Sequence, residues 1–178
     1  MKKILFIVAT MVVIAGGLTY WGSSFAAQTV SGQLSAQKIT FPEKADWEKS
    51  CNAEKSDAAK TKCLSLISHA GVKVDNGMEA KAYSDYIGGH LEKVANGQTY
   101  SEVSAAYQKD KTNQALSGQR QSLFMGETLR GLLLNAWGWG LIGTIALYAS
   151  YAMFAAAILV YVVALYPVSK KSARKSRK

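Results

Sequence analysis

Across residues 131–166 the sequence has no Asp, Glu, Lys, Arg or His. Lipid offers no water to unpaired backbone groups, so an apolar run of this length reads as a membrane-spanning helix. Cysteine, proline and histidine occur only twice each. The two histidines, His69 and His90, have no second ligand at H-x-x-x-H or C-x-x-C spacing, so no metal site is expected. Nucleophile elbow, phosphate loop and dinucleotide fingerprint are all missing. No catalytic residue and no cofactor is therefore assigned, and the chain reads as a non-enzyme.

The net charge is +9, but the middle of the chain carries little of it. Lys2 and Lys3 contribute at one end, and Lys170, Lys171, Arg174, Lys175, Arg177 and Lys178 at the other. A nucleic-acid binder would carry its cations on a folded face, so that class is excluded.

The apolar stretch from Ile4 to Trp21 is ~27 Å long as a helix, near a bilayer core. A signal peptide cut after Ala26 is one reading, with Ser24 and Ala26 at the small-residue positions. A permanent anchor with Tyr20 and Trp21 as an outer belt is preferred, because the run is long and ends in aromatics. On the second run Trp137 and Trp139 mark the same interface, and the span is expected over residues 140–166. A hairpin of two short spans would put the basic tail outside, against the positive-inside rule. The domains expected are a cytoplasmic stub 1–3, spans 4–22 and 140–166, an extracytoplasmic helical domain 23–139 and a basic tail 167–178. The fold class is all-α, the last helix continuous with the second span. Membrane lipid is one partner, and the tail cations suit anionic headgroups.

Cys51 and Cys63 then lie outside, where a disulfide is permitted. On one helix they would be ~18 Å apart, so a turn must separate two short helices, 43–50 and 57–68. A redox-active pair is the weaker alternative, since such cysteines usually sit two residues apart. A helix is expected over 77–95, with Tyr83, Tyr86, Ile87, His90, Leu91 and Val94 as its buried stripe and His90 a core histidine. Thr99 and Glu102 form a capping box opening a helix to residue 108, with Tyr100, Val103, Ala106 and Tyr107 inward. From Asn113 a last helix, with Leu116, Leu123 and Phe124 on one side, runs into the membrane. In that span Gly140, Gly143, Ala146, Ala149 and Ala152 offer small positions to a second helix, either the first span at Ala9 and Gly16 or a helix of a partner subunit.

Glu127, Arg130 and Asn135 are the polar residues nearest the outer surface. Glu127 and Arg130 suit either a local ion pair or a docking point for a partner or lipid headgroup. The stretches AKAYSDYIGGHLEKVANGQTYSEVSAAY and GETLRGLLLNAWGWGLIGTIALYA resemble a family of small actinobacterial two-span membrane proteins without an assigned activity. The resemblance covers residues 80–149 and implies two spans around an extracytoplasmic helical domain, with no catalytic residues. The expected function is an accessory or scaffold subunit of a membrane complex with a protein partner. The alternative is a carrier of lipid or a small apolar ligand, with Tyr83, Tyr86, Tyr100 and Tyr107 lining a groove.

Overall fold

The computed structural model describes residues 2–54 and 56–166. Among these the chain is all helical. Six α-helices run in the order α1 Lys2–Gln37, α2 Lys44–Asn52, α3 Asp57–Leu64, α4 Gly77–Val94, α5 Tyr100–Lys109 and α6 Gln114–Leu165, with a 3₁₀ turn at Ile67–His69 before α4. The one β feature is an isolated bridge between Thr40 and Lys73. Both α1 and α6 are long and apolar enough to cross a membrane. The chain divides into two compact units: residues 2–24 with 144–166, and residues 25–143.

The first unit is a pair of antiparallel helices. A Cβ at Gly16 would lie 3.0 Å from the Phe154 ring and 3.4 Å from Met153. Further towards the N-terminus, the Thr10 and Tyr161 hydroxyls share a 2.8 Å hydrogen bond. The buried positions are Ala9, Gly16 and Ser23 on α1 and Ser150, Ala157 and Ala164 on α6. Both series repeat every seven residues, the signature of a left-handed supercoil. Ala9 and Gly16 face α6 as their size suggested. The expected stripe on α6 is corrected: Ala152 is exposed, and Ala146 and Ala149 are only half-buried. Residues three apart rotate about 60° around a helix at each step, whereas residues seven apart drift about 20°.

In the second unit the caps define the elements. Ser56 Oγ accepts from the Ala59 amide at 3.1 Å, opening α3, and Asn76 Oδ1 accepts from the Glu79 amide at 3.0 Å, opening α4. The Thr99–Glu102 capping box is formed in both directions. The α4 end is a Schellman closure: the Gly97 amide donates to Glu92 O at 2.8 Å and the Asn96 amide to Lys93 O at 3.2 Å. Asn96 and Gly97 both have positive φ, the left-handed conformation that this closure needs. The helix expected over 57–68 stops at Leu64, because Ser65 caps it and its hydroxyl donates back to Lys62 O at 2.7 Å. Residues 23–37, to which the sequence assigned no element, continue α1, which ends where Lys38 turns to φ 54.

Two clusters form the core. Phe41 is the hub of the larger one, stacked on Trp47 and His69 at 5.4 Å each and edge-on to Tyr83 at 5.0 Å. Val30, Leu34, Val74 and Leu133 surround it. The smaller cluster is Leu91, Ala95, Val103 and Leu123.

The α4 helix buries two faces. Its tyrosines and Ala82 turn to Phe41 and Trp47, while Gly77, Ala80, Ser84, Gly88 and Leu91 turn to α6. A Cβ at Gly77 would sit 3.3 Å from the Gly140 and Trp137 Cα atoms, and one at Gly126 only 2.5 Å from the Leu91 side chain. Such contact requires small residues on alternate helices. The expected stripe is corrected in part: His90 and Val94 are exposed. His90 falls on the arc of Tyr83 and Tyr86 but one turn beyond the Phe41 cluster, and Val94 lies a turn further on.

Candidate functional site

The sequence-predicted cysteines meet. Cys51 and Cys63 are bridged with their Cα atoms 5.5 Å apart, stapling α2 to α3. Cys51 is wholly buried in the larger cluster, and Cys63 packs against it.

Glu127 and Arg130 also meet. Arg130 Nη1 donates to both Glu127 carboxylate oxygens, at 2.8 and 2.9 Å. Its Nε donates to Ser84 O on α4 at 3.1 Å. The guanidinium lies over Gly88, where a Cβ would come within 3.1 Å of it. Arg130 thus spends its planar fork on joining α4 to α6, something that sequence spacing on one helix does not reveal. Asn135 is exposed and lies on another arc of α6. Trp137 is half-buried beneath the Lys81 ammonium, 6.0 Å from the ring centroid, and Trp139 is exposed. Tyr20 and Trp21 are exposed on α1. The tail cations, Lys170, Lys171, Arg174, Lys175, Arg177 and Lys178, lie outside the described residues.

The second unit also has a cleft of about 1220 Å³ that sequence reasoning only half anticipated. Trp47, Tyr86, His90, Leu91, Leu123 and Arg130 line it. Of the four tyrosines expected in a groove, Tyr86 and Tyr100 reach it. Tyr83 belongs to the aromatic cluster, and Tyr107 lies under Arg120, 4.3 Å from ring centroid to guanidinium carbon.

The charges around the cleft are paired. Lys62 bonds Glu92 at 2.7 Å, Lys93 bonds Glu54, and Arg130 bonds Glu127. The bond from Lys62 holds the Glu92 carboxyl below its ordinary value. His90 stands edge-on to Tyr86 at 4.6 Å. Desolvation, reinforced by Lys93 and opposed by Glu54, pushes its pKa below 6.5. Burial raises the Tyr86 phenol, with Tyr83 adding to the effect. Trp47 Nε1 is buried and meets no acceptor among the described residues. With these charges paired, Trp47, Tyr86, Leu91 and Leu123 are the apolar part of the lining. No group of three or more His, Cys, Asp or Glu able to hold a metal occurs among the described residues.

No family model, no curated protein and no solved structure matches this chain.

Proposed function

We propose that this chain is a twice-anchored protein of the cell envelope, a non-catalytic accessory or scaffold subunit of a membrane complex. Its helical domain lies outside the plasma membrane and both ends lie in the cytoplasm. The two long apolar helices support the anchoring. Lys2, Lys3 and the tail cations support the orientation. Placement among the actinobacterial two-span proteins, which the second half of the chain resembles, is part of this proposal and implies the same topology.

One observation carries the accessory reading. In the second unit α6 exposes Met125, Leu132 and Trp139, seven residues apart and on one arc, with Leu129 between them. An exposed apolar arc with Thr128 and Asn135 along one side is the kind of surface that a protein–protein contact uses. The occupant that fits is an apolar helix face of another membrane protein. A photo-crosslinking residue at Leu132 tests this in intact cells. A single partner of fixed stoichiometry, recovered through a tag on the tail, is the expected result. Adducts only with itself or with lipid would overturn it.

A second reading, a carrier for an amphiphilic ligand, rests on the cleft and on the unpaired Trp47 Nε1–H at its wall. Native mass spectrometry of the full-length protein distinguishes it, since a carrier retains bound lipid when the detergent is stripped.

A further inference from the structure

The helix pair of the first unit carries three tyrosines and a tryptophan within one turn of a common level, and the tyrosine hydroxyls bear on where the outer membrane surface lies. Gly16 packs on Met153 and Phe154. Five residues on from Gly16 is Trp21, and five back along the antiparallel α6 reaches Tyr148 and Ala149. At ~1.5 Å per residue the two steps are equal in height. Tyr20 and Trp21 therefore share a level with Tyr148, with Tyr151 one turn deeper. All four point outward, with exposures of 46%, 66%, 69% and 52%.

The hydroxyls sort by depth. Tyr161, well below this level, has its phenol bonded to Thr10 at 2.8 Å. Tyr20, Tyr148 and Tyr151 make no such bond within the described residues, and neither does the phenol of Tyr166 at the opposite end. A phenol without a partner costs several kcal/mol in hydrocarbon, so it belongs where headgroups and water supply one. Within this pair the tyrosines with unpaired hydroxyls stand at the two ends, and the tyrosine between them is bonded. Between Tyr151 and the opposite end the exposed large residues are Ile, Leu, Val, Met and Phe, such as Ile7, Met11, Ile14, Ile158 and Leu159. The distance from the level of Trp21 and Tyr148 to that of Ile4 and Tyr166 is ~27 Å, a hydrocarbon core's thickness.

We propose that Tyr20, Trp21, Tyr148 and Tyr151 form the outer interfacial belt, bound to the headgroup and glycerol layer of the lipid, in place of Trp137 and Trp139. A boundary at residue 140 would sink the free Tyr148 hydroxyl ~12 Å and that of Tyr151 ~16 Å into hydrocarbon. The belt rests on the membrane reading and sets the second span at about eighteen residues rather than the twenty-seven of 140–166.

Single cysteines at Ile142, Ile145, Ala155 and Ile158 test it in the full-length protein, reconstituted in phosphatidylcholine–phosphatidylglycerol vesicles made permeable to a charged maleimide. The native cysteines are silent in their disulfide. Ile142→Cys and Ile145→Cys are expected to label freely, and Ala155→Cys and Ile158→Cys at least roughly tenfold more slowly, because the reacting thiolate needs water. Protection already at 142 and 145 would overturn the belt and leave the membrane reading intact. Free labelling at all four would overturn the membrane reading itself. Labelling of each variant in denaturing detergent fixes the maximum, so that misfolding does not imitate either result.

Discussion

Removing the Cys51–Cys63 bridge should destabilise the helical domain by a predictable amount. The two helices it joins have nine and eight residues, below the ~12–15 needed for a helix to stand alone. Their order depends on the bridge and on Trp47 and Cys51 packing into the Phe41 cluster. The cysteines are 12 apart in sequence. In the chain-entropy model closing a loop of that size restricts the unfolded chain by about 3 kcal/mol. For a domain of about 120 residues this lowers the melting temperature by about 10–15 °C. Cys51→Ala/Cys63→Ala would be melted beside the wild type by circular dichroism in mild detergent, with and without reductant. Reduction leaves both sulfurs in place and so reports the loop constraint alone. The double variant adds the small void left at buried Cys51. The expected order is oxidised wild type, then reduced wild type, then the variant, with most of the loss at the first step. A reduced wild type that melts within 2 °C of the oxidised form would refute the argument, since α2 and α3 would then be held by packing.

Two further outcomes follow from the same geometry. Gly138→Ala meets nothing within 4 Å, whereas a Cβ at Gly140 would lie 3.2 Å from the Gly77 Cα. Both substitutions gain ~1 kcal/mol of helix propensity, so Gly138→Ala should raise the melting temperature while Gly140→Ala should fall below it by roughly 1–3 kcal/mol of overpacking. Equal effects in thermal melts would show that α4 and α6 do not cross there. His90 has its pKa depressed in the folded state. The unfolded chain therefore binds the proton more readily, so the stability contribution is full above pH 6.5 and is lost as pH falls through the folded value. Denaturant midpoints should drop between pH 7.5 and 5, and the drop should shrink in His90→Gln. An unchanged drop would remove His90 from the account.

Local chemistry was legible where it depends on neighbours in sequence. Thr99 and Glu102 cap the helix they were expected to cap, because a cap is satisfied within one turn. The bridge was legible by elimination, since one helix cannot bring two cysteines twelve apart together. The face of α4 against α6 was not read. Its residues are Gly77, Ala80, Ser84 and Gly88, which carry no hydrophobic signal, while the tyrosines on the other face dominate the pattern. A spacing of three, four and four among small residues was the available cue. His90 was misplaced because it shares the arc of the tyrosines but lies a turn beyond the Phe41 cluster, and periodicity gives the arc of a residue without saying where the packed part of a helix ends. The packing of the two long helices was legible only as a pair of partners, Ala9 and Gly16. Its seven-residue seam needs Ser150, Ala157 and Ala164, and neither composition nor hydropathy distinguishes these from the alanines beside them.

The α4–α6 crossing also bears on which polar residues remain for a partner. Its contacts run antiparallel: Gly77 against Gly140, Gly88 under Arg130, and Leu91 over Gly126. Each pairs a small residue with a larger one or with another small one, so the segment GETLRG is explained by the fit to α4. Arg130 commits Nε to Ser84 O and Nη1 to Glu127. Releasing it to an outside ligand would give up the charged hydrogen bond to Ser84 O, about 1.5–3 kcal/mol, although that carbonyl keeps its helical donor. A docking role for Glu127 and Arg130 must meet that cost, whereas Asn135 and the stripe of Met125, Leu132 and Trp139 need break nothing. Any partner that binds α6 in this domain should therefore be sensitive to Leu132→Glu, and indifferent to Glu127→Gln.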